Sequence, residues 1–271
     1  MSVNIAKRNV AKIHKICYNI KGGCILTGGD KMTDGILIIP AEGDSVDTES
    51  WYANDISRHY NTHVQIFKYN GDNLIIRGIR ESVVNFFDEH HERFEIHAQG
   101  GFGAAVAYEM AIYRPNQIAR IFFIGGAPCT AMRLIQKVFH RYISWLWYYS
   151  KIPFFADDPN PYKDGKIAAI KQSSTSCMRA NPLLYRNQLM FIGRWKPERH
   201  LENTEAYFIP NGDSPRPGWW DNSYNNEKAA QIWGEYGVKS LPKPGGGFSF
   251  YSLMPSENLF RVLDDARGKA L

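Results

Sequence analysis

The chain has 271 residues, room for one large domain or two small ones. Hydrophobic residues make up 44% of it and aromatics 14%, which excludes wholesale disorder. Lys and Arg number 32 against 27 Asp and Glu, and a net +5 falls well short of a dedicated nucleic-acid binder. No stretch approaches 18 uninterrupted apolar residues, Met1 to Lys15 is polar, and the four cysteines (Cys17, Cys24, Cys129, Cys177) are widely spaced. Together these features lead us to expect a soluble, reduced, cytoplasmic protein without a disulfide scaffold or a secretory signal.

In chain order, Ile16–Ile20 and Cys24–Thr27 read as a short opening pair of strands around Lys21-Gly22-Gly23. Gly35 to Ile39 is a continuous apolar run closed by Pro40, the pattern of a strand buried on both faces. Glu49 to Tyr60 reads as a helix, His63 to Phe67 as a strand and Ile79 to His90 as a helix. Phe94 to Ala98 is the next strand and runs into Gln99-Gly100-Gly101-Phe102-Gly103, followed by an Ala-rich helix from Ala104 to Tyr113. Ile118 to Ile124 is again a buried strand. Such alternation predicts an α/β fold, a mostly parallel central sheet flanked by helices.

The regularity then breaks. From 128 to 202 the chain shows helical, aromatic-rich segments divided by prolines, and it is read as a helical lid insert. Strands resume at Glu205 to Ile209 and Gly237 to Leu241, with a helix from Asn226 to Tyr236 between them. A closing helix is expected from Ser256 to Ala270, capped by Ser256. The expected core is therefore 1–127 with 203–271.

A glycine-rich turn between a buried strand and an Ala-rich helix, followed by a helical insert and then an acidic loop after a strand, resembles the layout of the α/β-hydrolase superfamily. The resemblance covers the chain from about Ile16 onward. In that family the strand-to-helix turn is a nucleophile elbow, G-x-S-x-G. Here it is His97-Ala98-Gln99-Gly100-Gly101-Phe102-Gly103, and three registers place Ala98, Gly100 or Gly101 at the nucleophile. None of these residues can attack a carbonyl, and no Ser occurs between Ser82 and Ser144. The resemblance places the triad acid at Asp213, in Pro210-Asn211-Gly212-Asp213; ordinary turn chemistry explains that stretch equally well. It places the general base in the loop holding Gly247 and Phe248, which contains no His. Where the family often carries an oxyanion His-Gly pair, this chain has Pro40-Ala41-Glu42-Gly43-Asp44. Two carboxylates there would oppose a developing negative charge, and they also read as plain loop acids.

Other groupings carry less. The G-x-G-x-x-G spacing and the G-x-x-x-x-G-K-[ST] loop are both absent, so no dinucleotide or phosphate cofactor is expected. His90-His91-Glu92 reads as a solvated helix end before a metal site. His97, inside a core strand, reads as a hydrogen-bonded core histidine lying beside the elbow.

The insert holds 12 Lys/Arg against 5 Asp/Glu, and the rest of the chain 20 against 22. The basic charge is therefore local, on the segment that also carries Phe139, Tyr142, Trp145, Trp147, Tyr148 and Tyr149. Arg133, Lys137 and Arg141 recur at four-residue spacing and share one helical face. With Trp145 they could meet an acidic protein partner or an anionic membrane surface, and they equally match a solvated amphipathic helix.

The main expectation is a catalytically inactive α/β-hydrolase-fold protein serving as a protein-interaction platform. The alternatives are a hydrolase of esterase or lipase type with a non-standard catalytic set, and a small-molecule receptor. In the last, Glu42, Gly43, His97 and Gln99 would line a vestigial pocket.

Overall fold

The computed structural model describes residues 33–43, 46–69, 76–131, 138, 181–210, 226–244 and 257–268. The expected opening strands at Ile16–Ile20 and Cys24–Thr27 lie outside these residues. The described elements are β1 (Gly35–Ile39), α1 (Val46–Tyr60), β2 (Val64–Ile66), α2 (Ile76–Glu89), β3 (Phe94–Gln99), α3 (Gly100–Tyr113) and β4 (Ile118–Ile124). They continue with α4 (Pro182–Ile192), β5 (Glu205–Ile209), α5 (Asn226–Glu235), β6 (Lys239–Ser240) and α6 (Glu257–Ala266).

Among the described residues, six parallel strands form one sheet in the order β2-β1-β3-β4-β5-β6. Every residue of β1, β3 and β4 is buried, because these strands are central and covered on both faces. One face carries Leu37, Ile39, Phe94, Ile96, Ala98, Ile121 and Phe123 against α2, α3, α4 and α5. There Trp233 of α5 stacks on Phe123 with ring centroids 4.3 Å apart. The other face carries Ile36, Ile38, Phe122, Ile124, Tyr207 and Ile209 against Tyr52 and Ile56 of α1 and Leu259, Val262 and Leu263 of α6. Burial of this apolar surface is the main stabilising term.

Two boundaries differ from the sequence reading for a physical reason. α3 begins at Gly100, four residues earlier than expected, and its glycines permit close approach to β1. A Cβ on Gly103 would lie 2.8 Å from the Ile39 carbonyl oxygen. β6 shrinks to Lys239–Ser240, both exposed at the edge of the described sheet, while the flanking Val238 and Leu241 turn into the core. Of the expected insert, 132–137 and 139–180 lie outside the described residues. Its last helix, α4, starts with an Asn181 side chain accepting from the Leu184 N–H at 3.0 Å and buries Tyr185, Leu189 and Ile192 in the main core. Among the described residues no helix is long and apolar enough to cross a membrane.

Candidate functional site

The site is built where β3 turns into α3. Gly100 has φ +62°, a left-handed conformation that only glycine adopts without cost, so the sharp bend falls there rather than at Ala98 or Gly101. The loop leaving β1 folds over this bend. A Cβ on Gly100 would lie 2.8 Å from the Ala41 Cβ and 2.9 Å from Glu42 Oε2. The space a nucleophile side chain would fill at this bend is thus taken by a carboxylate from another loop.

That carboxylate is held. The Phe102 N–H donates to Glu42 Oε2 at 3.2 Å. Burial raises the Glu42 pKa, and the backbone amides of Glu42 itself, Phe102 and Gly101 pull against that rise. The first amides of a helix have no partner within it and carry the positive end of its dipole, so an anion at the N-terminus of α3 satisfies both. Glu42 is therefore no ordinary loop acid. Gly43, at φ +82°, donates its N–H to Gln188 Oε1 of α4 at 3.0 Å, which ties the same loop to the end of the insert.

A partly buried carboxylate with a raised pKa is suited to taking a proton from a bound water. It also sits within the field of the amides that would face a carbonyl oxygen at the bend.

His97 is placed elsewhere. Side chains at 96 and 98 enter the core under α3, and the 97 side chain turns to the opposite core. Fully buried, it lies 2.8 Å through Nε2 from Glu95 Oε1 and 2.8 Å through Nδ1 from the Tyr52 hydroxyl. Burial lowers its pKa against the pull of Glu95, so the neutral ring donates from Nε2 and accepts the Tyr52 O–H at Nδ1. Burial alone would raise the Glu95 pKa, but His97 and Arg267 outweigh it and hold the carboxyl at about 2. Arg267 pairs with both Glu95 oxygens and lies over the Tyr60 ring, 3.4 Å from its centroid.

The order carboxylate, imidazole, hydroxyl is that of a catalytic relay, yet Tyr52 and His97 are 0% exposed and no substrate atom reaches them. The structure therefore does not bring His97 to Glu42, and the expected pocket of Glu42, Gly43, His97 and Gln99 loses this member. Sequence reasoning missed Glu95, although Glu95-x-His97 on one strand face was the available signal.

Gln99, the last residue of β3, is 3% exposed and stays beside the bend. Asp213, Gly247, Phe248, Arg133, Lys137, Arg141 and Trp145 lie outside the described residues. His90 is engaged locally, Nδ1 lying 2.9 Å from the Phe86 carbonyl and the ring stacked on Phe86. Among the described residues no cluster of three or more His, Cys, Asp or Glu could hold a metal ion.

No protein-family model matches the sequence, and no curated protein matches it. Solved structures do match in shape. An alpha/beta hydrolase enzyme, MGS-M2, from a Medee basin deep-sea metagenome library is 14% identical, covering 90% of this chain and 93% of its own, at TM-score 0.57. The RedJ thioesterase of the prodiginine pathway in Streptomyces coelicolor is 16% identical over 92% and 97%, at TM-score 0.56. The enol-lactonase of Burkholderia xenovorans LB400 is 12% identical over 88% and 93%, also at TM-score 0.56. The expectation of an inactive interaction platform is overturned here. The three similar structures named above are a hydrolase, a thioesterase and a lactonase, and the bend that lacks a serine carries the Glu42 carboxylate. With its parallel sheet, its glycine elbow and these matches over nearly the whole chain, the protein has the α/β-hydrolase fold.

Proposed function

We propose that the protein hydrolyses the carbonyl–oxygen or carbonyl–sulfur bond of small esters, lactones or thioesters, with Glu42 as general base in place of a covalent nucleophile. The observation that carries this is the Glu42 carboxylate on the N-terminus of α3, against the left-handed Gly100. Glu42 takes a proton from water as the water oxygen bonds to the substrate carbonyl carbon. The same proton then goes to the departing alkoxide or thiolate, giving a carboxylic acid and an alcohol or thiol. As Glu42 is neutralised, negative charge moves to the carbonyl oxygen within the same helix-terminal field, so the Gly101 and Phe102 amides serve first one and then the other. The names of the similar structures, a thioesterase and an enol-lactonase among them, support this bond class.

The test is a pH-stat assay of the purified chain on short-chain ethyl esters, a lactone and an acyl thioester. Turnover without a burst and without labelling by a fluorophosphonate is expected, since no covalent serine intermediate forms. Absence of turnover on every member, or a burst with labelling, overturns the reading.

A further inference from the structure

Resting on the hydrolase reading above, we infer that helix α4 sets the general base in place and that Gln188 is the positioning residue for Glu42. Two contacts of α4 carry this, one to the loop bearing Glu42 and one to the residue whose amide binds its carboxylate.

The first contact runs through the backbone. The Gly43 N–H donates to Gln188 Oε1 at 3.0 Å, and Gln188 is 6% exposed. That N–H lies in the planar peptide unit it shares with the Glu42 carbonyl, so holding it restricts the backbone of Glu42 itself. Gly43 sits at φ +82°, and a glycine takes either sign of φ readily, so its contacts must fix the course of the loop there. On the other side of Glu42, Ala41 packs at the Gly100 bend.

The second contact is between rings. Phe102, whose N–H donates to Glu42 Oε2 at 3.2 Å, meets Phe191 of α4 edge to face with centroids 6.2 Å apart. Gln188 and Phe191 are three residues apart and share one face of the helix. α4 is itself seated, because Leu189 and Ile192 are buried in the main core. A base works only within hydrogen-bond reach of the water it deprotonates, so a small displacement of Glu42 costs rate rather than substrate binding.

The experiment has a kinetic and a stability arm. Gln188→Met keeps the reach of the side chain without its amide oxygen, and on the best-cleaved ester its kcat should fall about 10- to 100-fold while KM stays within about twofold of wild type. Gln188→Leu is the second variant and should behave alike. Ile192→Ala loosens the core and leaves the Gln188 bond, so its kcat should stay within about twofold of wild type. An unchanged kcat in both Gln188 variants, a loss confined to KM, or an equal loss in Ile192→Ala overturns the inference. The stability arm needs no turnover. In urea, the double variant Gln188→Met, Glu42→Ala should be less destabilised than the two single effects added, because both side chains hold one loop. Strict additivity overturns the inference whatever the rates. Coupling in a protein that cleaves no ester would retain Gln188 as the holder of Glu42 and discard the hydrolase reading.

Discussion

Gly100, the first residue of α3, and Glu42, in the loop after the adjacent strand β1, exclude any side chain between them: a Cβ on Gly100 would stand 2.9 Å from Glu42 Oε2. The glycine at the bend and the carboxylate above it are one arrangement. A serine restored at position 100 would meet both an adverse φ and an occupied space.

Gly100→Ala should therefore destabilise the protein by about 2 kcal/mol or more, read by urea denaturation. Part of that cost is the clash with Glu42. The double variant Gly100→Ala, Glu42→Ala should be less destabilised than the two single effects added, with the remainder due to φ and to Ala41. Strict additivity would show that Glu42 does not occupy the corner.

Gln188 links the insert's last helix to the same loop by accepting the Gly43 N–H at 3.0 Å. Gln188→Leu leaves that amide without its partner in a buried site, and a loss of about 1–3 kcal/mol is expected by chemical denaturation. An unchanged midpoint would mean that water replaces the bond freely.

Much of the sheet was legible because Gly35–Ile39 and Ile118–Ile124 are unbroken apolar runs, the mark of strands covered on both faces. The start of α3 was not. Gly100-Gly101-Phe102-Gly103 looks like loop until the approach of the Ile39 carbonyl to Gly103 shows why small residues open the helix. Glu42 read as a loop acid because its meaning depends on Phe102, 60 residues away, which periodicity cannot reveal. His97 reads from the sequence as a hydrogen-bonded core residue, which its bonds to Glu95 and Tyr52 match; its place in the expected pocket rests only on closeness in sequence to the elbow.

The buried Glu95 should make the fold acid-sensitive. Its carboxyl sits at about 2 in the folded protein against an ordinary 4.5, so it stabilises the fold above the ordinary value and that contribution is lost as pH falls from about 5 toward 2. Glu95→Gln should be less stable than wild type at pH 7, and the gap should narrow on acidification in denaturant titrations at several pH values. A gap independent of pH would show that Glu95 is not held as a carboxylate.

Catalysis should show the opposite sign at Glu42. Burial raises its pKa, so the acid limb of kcat/KM should fall at a pH above that of an ordinary Glu and level off once Glu42 is ionised. A pH–rate profile of ester hydrolysis checks this; Glu42→Asp should keep the limb at reduced rate. A profile flat through the carboxyl range would remove Glu42 from the chemistry.

The most direct measurement is kcat/KM of wild type and Glu42→Gln on the same ester, both shown to melt cooperatively. Glu42→Gln keeps the size and an acceptor for the Phe102 N–H but cannot take a proton, so a loss on the order of 10²–10⁴-fold is expected. Equal rates in the two proteins would contradict the assignment of Glu42 as the base.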